Sequence, residues 1–268
     1  MPASDMSDGA ILDTNRLATV LREAGDIALR TFRGPIRSWT KGHDSPVSEA
    51  DMAVDALLRE RLAMPGVGWL SEESEDDRAR LSARRVVVAD PIDGTRAYLA
   101  GRPDWSICVA LVEDGRPVLA GIFAPVDNEM LVAAAGQGAR CNDQPLAASA
   151  GNTLQGASVA GPQRYLDRLA TLAPGIAKSP KIHSLALRLA RVAQGQLDVA
   201  MASVNAHDWD LAAADLLVHE AGGTMTDTAG RPLVYNLHNT QHGALIAAGR
   251  NRHRAVLDLV QERWKLFT

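Results

Sequence analysis

Two carboxylates stand three residues apart in Asp90-Pro91-Ile92-Asp93-Gly94-Thr95, and a hydroxyl follows two residues later. The hexapeptide closes the apolar run Val86-Val87-Val88-Ala89, so both acids fall where a strand runs into a glycine turn. Hard divalent cations need oxygen ligands held close together, and rigid backbone at a strand end supplies them. The same letters also suit a plain hairpin, because Asp-Gly is a common turn pair. Three further acidic signals bear on that choice. Glu72-Glu73 follows Trp69-Leu70-Ser71, and alone it reads as a solvated loop running into Glu75-Asp76-Asp77. Asp210 follows Trp209 at the start of Leu211 to Asp215, where an acid is also an ordinary helix cap. Asp51 closes Ser48-Glu49-Ala50-Asp51, a capping-box pattern.

The elements that must position these residues follow from periodicity. Leu17, Val20, Leu21, Ala24, Ile27 and Ala28 recur at helical spacing and predict an amphipathic helix over 14–31. Lys41 to Pro46 is rich in turn formers and reads as a loop. A second helix begins at the capping box, buries Val54, Leu57, Leu58 and Leu62, and stops at Pro65-Gly66. Val86–Ala89, Ile107–Val112, Val118–Phe123 and Met130–Ala134 read as strands, and the short connections among the last three imply antiparallel pairing. The small polar stretch from Ser149 to Gly156 marks a boundary between an α+β unit, 1–148, and an α/β unit, 149–268. In the second unit Leu185–Val192, Trp209–Ala221 and Arg252–Trp264 read as helices. Leu197–Met201, Thr224–Thr226 and Ala244–Ala247 read as strands, an α/β alternation.

Composition excludes several classes. The chain has 268 residues, 46% hydrophobic and 22% charged, which describes a folded soluble protein of one large or two ordinary domains. A net charge of −4 without a Lys/Arg block argues against nucleic acid as a partner. Met1 to Gly9 is polar and acidic, unlike a secretory leader, and no apolar run approaches the ~18 residues that cross a bilayer. Cys108 and Cys141 are the only cysteines and read as buried, unreactive thiols in a reducing cytoplasm. The seven histidines are scattered, so no zinc spacing competes for the acidic residues.

Taken in order, Glu72-Glu73, Asp90-Pro-Ile-Asp93-Gly-Thr95 and Trp209-Asp210…Glu220-Ala221-Gly222-Gly223 resemble the inositol monophosphatase superfamily of metal-dependent phosphatases. The resemblance covers about residues 40 to 250. It implies a layered αβαβα sandwich of the inositol monophosphatase and fructose-1,6-bisphosphatase type, with the active site between the halves. It also implies Glu72, Asp90, Asp93, Asp210 and the Ile92 carbonyl as metal ligands, with Asp90 bridging two ions. Thr95 and Asp51 match the pair that orients and deprotonates the attacking water. Gly94 and Thr95, with Asp93 and Asp210, match the positions that hold the substrate and its phosphate. Mg²⁺, two or three ions per site, lithium inhibition and a homodimer are implied in the same way. Physical chemistry agrees: four carboxylates in one pocket repel, and cations relieve that repulsion. Mg²⁺ takes oxygen ligands and keeps room in its shell for water and phosphate. An ion pair ~3.5–4 Å apart serves both the attacking and the leaving oxygen.

The resemblance implies a small phosphate ester as substrate. Arg96-Ala97-Tyr98, Gly101 to Trp105 and Gly42 to Ser48 look more like the 3'(2'),5'-bisphosphate nucleotidase branch, although Ala97 departs from its pattern. Arg96 or Arg102 could then pair with a second phosphate, since guanidinium forks suit phosphate oxygens; both also read as surface arginines. The expectation is hydrolysis of adenosine 3',5'-bisphosphate. Inositol 1-phosphate stands next, then histidinol phosphate. Ser71 replaces the family's usual Gly before Glu72. A silent regulatory or binding relative is the non-enzyme alternative, against which the intact ligand set argues.

Overall fold

A computed structural model describes residues 12–41 and 45–263. Met1 to Gly9, the middle of the loop at Gly42–Asp44, and the Trp264 end of the last helix therefore lie outside the described residues. Asp13 caps α1 (Thr14–Thr31) by accepting from the Asn15 and Arg16 N–H groups at 2.9 and 2.8 Å. β1 (Ser38–Lys41) and β2 (Ser45–Ser48) pair antiparallel, so the flanks of the expected loop are a hairpin. Ser48 then caps α2 (Glu49–Leu62), as the capping box requires. β3 (Val67–Ser71), β4 (Arg85–Asp93), the short α3 (Thr95–Leu99), β5 (Ser106–Glu113), β6 (Arg116–Ala124), β7 (Glu129–Ala134), β8 (Ala139–Cys141) and β9 (Gln144–Pro145) follow. The strands from β3 to β9 form one seven-stranded sheet in chain order; only the β3–β4 pair is parallel.

Alternation along this sheet builds two cores. Val87, Ala89, Ile107, Val109 and Leu119 face α1 and α2, where Leu17, Leu21, Val54 and Leu58 are buried. Val86, Val88, Cys108, Ala110, Ala120 and Ile122 face the other way. That opposite face meets helices from the second half of the chain.

The second half runs β10 (Ser158–Ala160), α4 (Gln163–Leu172), β11 (Ala177–Lys178), α5 (Leu185–Ala193), β12 (Val199–Ala202), β13 (Ala206–His207), α6 (Asp208–Glu220), β14 (Gly223–Asp227), β15 (Gln241–His242), β16 (Leu245–Gly249) and α7 (Arg250–Glu262). A five-stranded sheet has the order β11-β10-β12-β16-β14. α5 and α6 lie between the two sheets and touch both, while residues of α4 and α7 share a third core with the far face of the small sheet. The layers are thus helices, sheet, helices, sheet, helices, the αβαβα sandwich. α6 is apolar around most of its circumference, with Leu211 to Ala214 and Leu216 to Val218 all buried. A helix pressed between two sheets needs that composition.

Several short elements escape the sequence reading, β3 and α4 among them. β3 is only five residues and carries Gly68, and its first three residues are half-buried, so it lacks a strand's apolar signature. α4 buries only Tyr165, Leu166 and Leu169 within a polar segment. Cys108 is buried, but Cys141 is half-buried, because β8 sits near the sheet edge. No helix among the described residues is long and apolar enough to cross a membrane.

Candidate active site

β4 delivers the first carboxylate. Asp90 pairs with Cys108 of β5 and Asp93 with Ser106, and the register shifts between them. Pro91 lies in that interval; it has no N–H for the ladder, which suits an irregular stretch. The parallel β3–β4 pairing sets Ser71 opposite Ala89, and the Glu72 N–H donates to the Ala89 carbonyl at 3.3 Å. Glu72, one residue past Ser71, is thereby brought beside Asp90.

Asp93 is fixed by the start of α5. Its carboxylate accepts from the Ser184 hydroxyl at 2.6 Å and from the Leu185 and Ala186 N–H groups at 3.1 and 2.6 Å. Those amides are orphans of the helix N-terminus and find their partner in Asp93. Asp210 lies in the first turn of α6, where the His207 N–H donates to it at 2.6 Å. Ligand oxygens of Asp90, Asp93 and Asp210 all lie within 4.8 Å of one another. Glu72 stands outside that set but lines the same cleft, of about 450 Å³, together with Ile92, Gly94, Thr95 and Arg96.

The charges are frustrated in the bare protein. Burial pushes the Asp90 carboxyl well above its ordinary range, and the negative charges of Glu72, Asp93 and Asp210 push it the same way. Burial and then Asp93 raise Asp210 likewise. Glu72 is pushed up to about 7, by burial first and by Glu73 next, with Lys41 opposing. Burial also raises Asp93, against the hydrogen bonds from Ser184 and α5. Both Asp90 oxygens are buried and meet no hydrogen-bond donor among the described residues. A buried carboxylate without a partner is costly, and a divalent cation among three acids supplies one. The donor set is all oxygen, so the residues fit Mg²⁺. Glu72, Asp90, Asp93, Asp210 and the Ile92 carbonyl are placed where they could hold it.

The expected catalytic pair also meets. The Thr95 hydroxyl lies 3.2 Å from Asp51 Oδ1 and 3.1 Å from the Ile92 carbonyl. Asp51 is held by Ser48, whose N–H and hydroxyl donate to Oδ2 at 2.8 and 2.5 Å. The α2 capping box therefore doubles as the mount for this carboxylate. Gly94 has φ 96°, a left-handed conformation, and a Cβ there would sit 3.3 Å from the Asp104 carbonyl and the Ser184 nitrogen. Only glycine fits that corner without strain.

Sequence reasoning missed several residues. Ser184 caps α5 by accepting from the Leu187 N–H at 2.9 Å; a Ser just before an apolar helical run is the signal that could have found it. Lys41 donates to the Glu72 carbonyl at 2.9 Å and pairs with Glu73, and no local pattern announces that contact. Lys181 and His183 line the cleft. Arg102 does not: its guanidinium bonds Asp104 at 3.2 Å. Of the two arginines weighed for a second phosphate, Arg96 alone lines the cleft.

Comparison with known proteins agrees with this geometry. The model of the inositol monophosphatase family matches residues 13–265. The chain is 33% identical to an inositol-1-monophosphatase of Rhizobium meliloti over 96% of this chain and 98% of that one. It is 29% identical to Nus factor SuhB of Escherichia coli over 86% of this chain and 88% of that protein. The crystal structure of the extragenic suppressor protein suhB from Bartonella henselae superposes with a TM-score of 0.80 at 27% identity, covering 92% and 98% of the two chains. The chain belongs to the inositol monophosphatase family of phosphomonoesterases.

Proposed function

We propose that the chain hydrolyses small phosphate monoesters with Mg²⁺, and that adenosine 3',5'-bisphosphate, giving AMP and phosphate, is its preferred ester. The observation that carries the hydrolase reading is the unpartnered Asp90 carboxylate among Asp93 and Asp210, beside the Thr95–Asp51 pair. When bound, Mg²⁺ would neutralise the carboxylates and the phosphate and lower the cost of negative charge on attacking and leaving oxygens. The chain's own residues do the rest. Asp51 accepts the Thr95 hydroxyl proton and so turns a Thr95 lone pair toward the attacking water. That water loses its proton toward Thr95 and Asp51 as it attacks phosphorus in line, the bond from phosphorus to the ester oxygen breaks, and that oxygen leaves as an alcohol with a proton from solvent. The Gly94 and Thr95 N–H groups, at the left-handed corner, bind phosphate oxygens. No Ser or Cys nucleophile is required.

The bisphosphate preference is supported by the nitrogen-bearing side chains of Arg96, Lys181 and His183, which line the cleft together with the acidic residues. Inositol 1-phosphate is the second reading, supported by the relative of that name. The test is phosphate release from adenosine 3',5'-bisphosphate, inositol 1-phosphate and histidinol phosphate at one Mg²⁺ concentration. The highest kcat/KM belongs to the bisphosphate if the proposal is right. Release from none of them favours the alternative of a catalytically silent regulatory or binding relative. Lithium inhibition, a cytoplasmic location and a homodimer complete the proposal. Light scattering reads the last as twice the chain mass of 28.6 kDa.

A further inference from the structure

Among the polar groups that line the cleft and take no part in the hydrolytic step, His183 is held in place by its own hydrogen bonds. His183 sits one residue before Ser184, the residue that bonds Asp93. Its ring is held from behind. Asp104 Oδ2 accepts from His183 Nδ1 at 2.7 Å and from the His183 backbone N–H at 2.8 Å. Arg102 steadies the other oxygen at 3.2 Å. The Asp104 carbonyl in turn accepts the Ser184 N–H at 3.1 Å and lies 3.3 Å from where a Gly94 Cβ would be. The His183–Asp104 unit is therefore packed against the Asp93–Gly94 corner.

This arrangement fixes the chemistry of the ring. An ionised carboxylate only accepts, so Nδ1 carries the hydrogen in that bond. Partial burial would push the Asp104 carboxyl up, yet the hydrogen bonds from His183 outweigh it and leave the group below its ordinary range. Asp104 is thus the anionic partner. Nε2 is the ring atom left for a ligand. With a hydrogen on Nε2 as well, the ring would donate to an anion there while Nδ1 donates to Asp104. The His183 side chain is 23% exposed, enough to be reached from the cleft it lines with Lys181 and Arg96. The cleft is lined by Glu72, Asp90, Asp93 and Asp210 and also by the nitrogen-bearing Arg96, Lys181 and His183, which offers a different set of partners to each end of a bisphosphate.

We propose that His183, held by Asp104, is a specificity-determining residue that binds the second anionic group on the leaving half of the substrate. This rests on the phosphatase reading. The test is steady-state kinetics with Mg²⁺ on two esters that differ only in the second phosphate, adenosine 3',5'-bisphosphate and adenosine 3'-monophosphate, with inositol 1-phosphate as a control. In His183→Ala the ratio of kcat/KM, bisphosphate over monophosphate, falls about ten-fold or more, the worth of a charge-assisted hydrogen bond. The loss lies in the KM for the bisphosphate. Asp104→Asn lowers the ratio in the same direction by less. If thermal melts show His183→Ala unstable, His183→Gln carries the same comparison. A ratio within about two-fold of wild type, or equal losses on both esters, overturns the proposal. So does a wild-type enzyme that hydrolyses inositol 1-phosphate but ignores the second phosphate, an outcome that leaves the phosphatase reading standing. No release from any ester takes both down.

Discussion

Thr95 has one hydroxyl proton and two acceptors near it, Asp51 at 3.2 Å and the Ile92 carbonyl at 3.1 Å. Only the bond to Asp51 leads the proton away from a reacting water. Thr95→Ala removes that relay, and we expect kcat to fall ~10²–10⁴-fold with the fold retained by circular dichroism. The acidic cluster gives a second expectation, with a definite sign. Asp90, Asp210 and Glu72 all have folded-state pKa values above their unfolded ones, Glu72 at about 7. Protonated, they stabilise the metal-free fold, fully so below the unfolded pKa. That stability is lost as pH rises through the folded values. Melting temperature without metal therefore falls as pH is raised from the ordinary carboxylate range past neutrality, and Mg²⁺ raises it more on the alkaline side. A flat profile in thermal melts contradicts the cluster's electrostatics. At this scale Asp90, Asp93 and Thr95 were legible, because they share one hexapeptide at a strand end. Glu72 and Asp210 were legible only through the family resemblance, since each alone reads as loop or cap. His183–Asp104 was not legible, for its partners lie 79 residues apart.

Each site residue depends on an element whose other task is structural. Ser48 caps α2 and holds Asp51 in the same act. Ser48→Ala should cost about 1 kcal/mol of stability by chemical denaturation, as helix caps do, and should also lower kcat because Asp51 loses its mount. A variant that loses stability but keeps full kcat would separate the two tasks. Gly94→Ala should be worse for activity, because φ 96° and the 3.3 Å neighbours leave no room at the corner. The helix periodicities of α1, α2, α5 and α6 and the strands β4 to β7 were readable, since their apolar patterns are long. β3 was not readable, and its parallel pairing with β4 is what brings Glu72 into the cleft.

The two halves of the chain share part of their interior. The largest apolar cluster joins Val86, Val88 and Ile122 from the first half to Leu187, Leu217 and Leu245 from the second. We expect the halves on either side of residue 149 to share one stability, because this cluster draws on both. We expect one cooperative thermal transition, and two resolved calorimetric peaks would contradict that. The cleft lies where the sheet of one half meets α5 and α6 of the other, so loss of either half should abolish the site. The most direct measurement compares phosphate release by the wild-type chain and by Asp90→Asn, with and without Mg²⁺, on the same ester panel. We expect Mg²⁺-dependent release from the wild type that EDTA abolishes, and almost none from a folded Asp90→Asn. Near-normal Mg²⁺-dependent rates in that variant would show that the acidic cluster is not where hydrolysis happens.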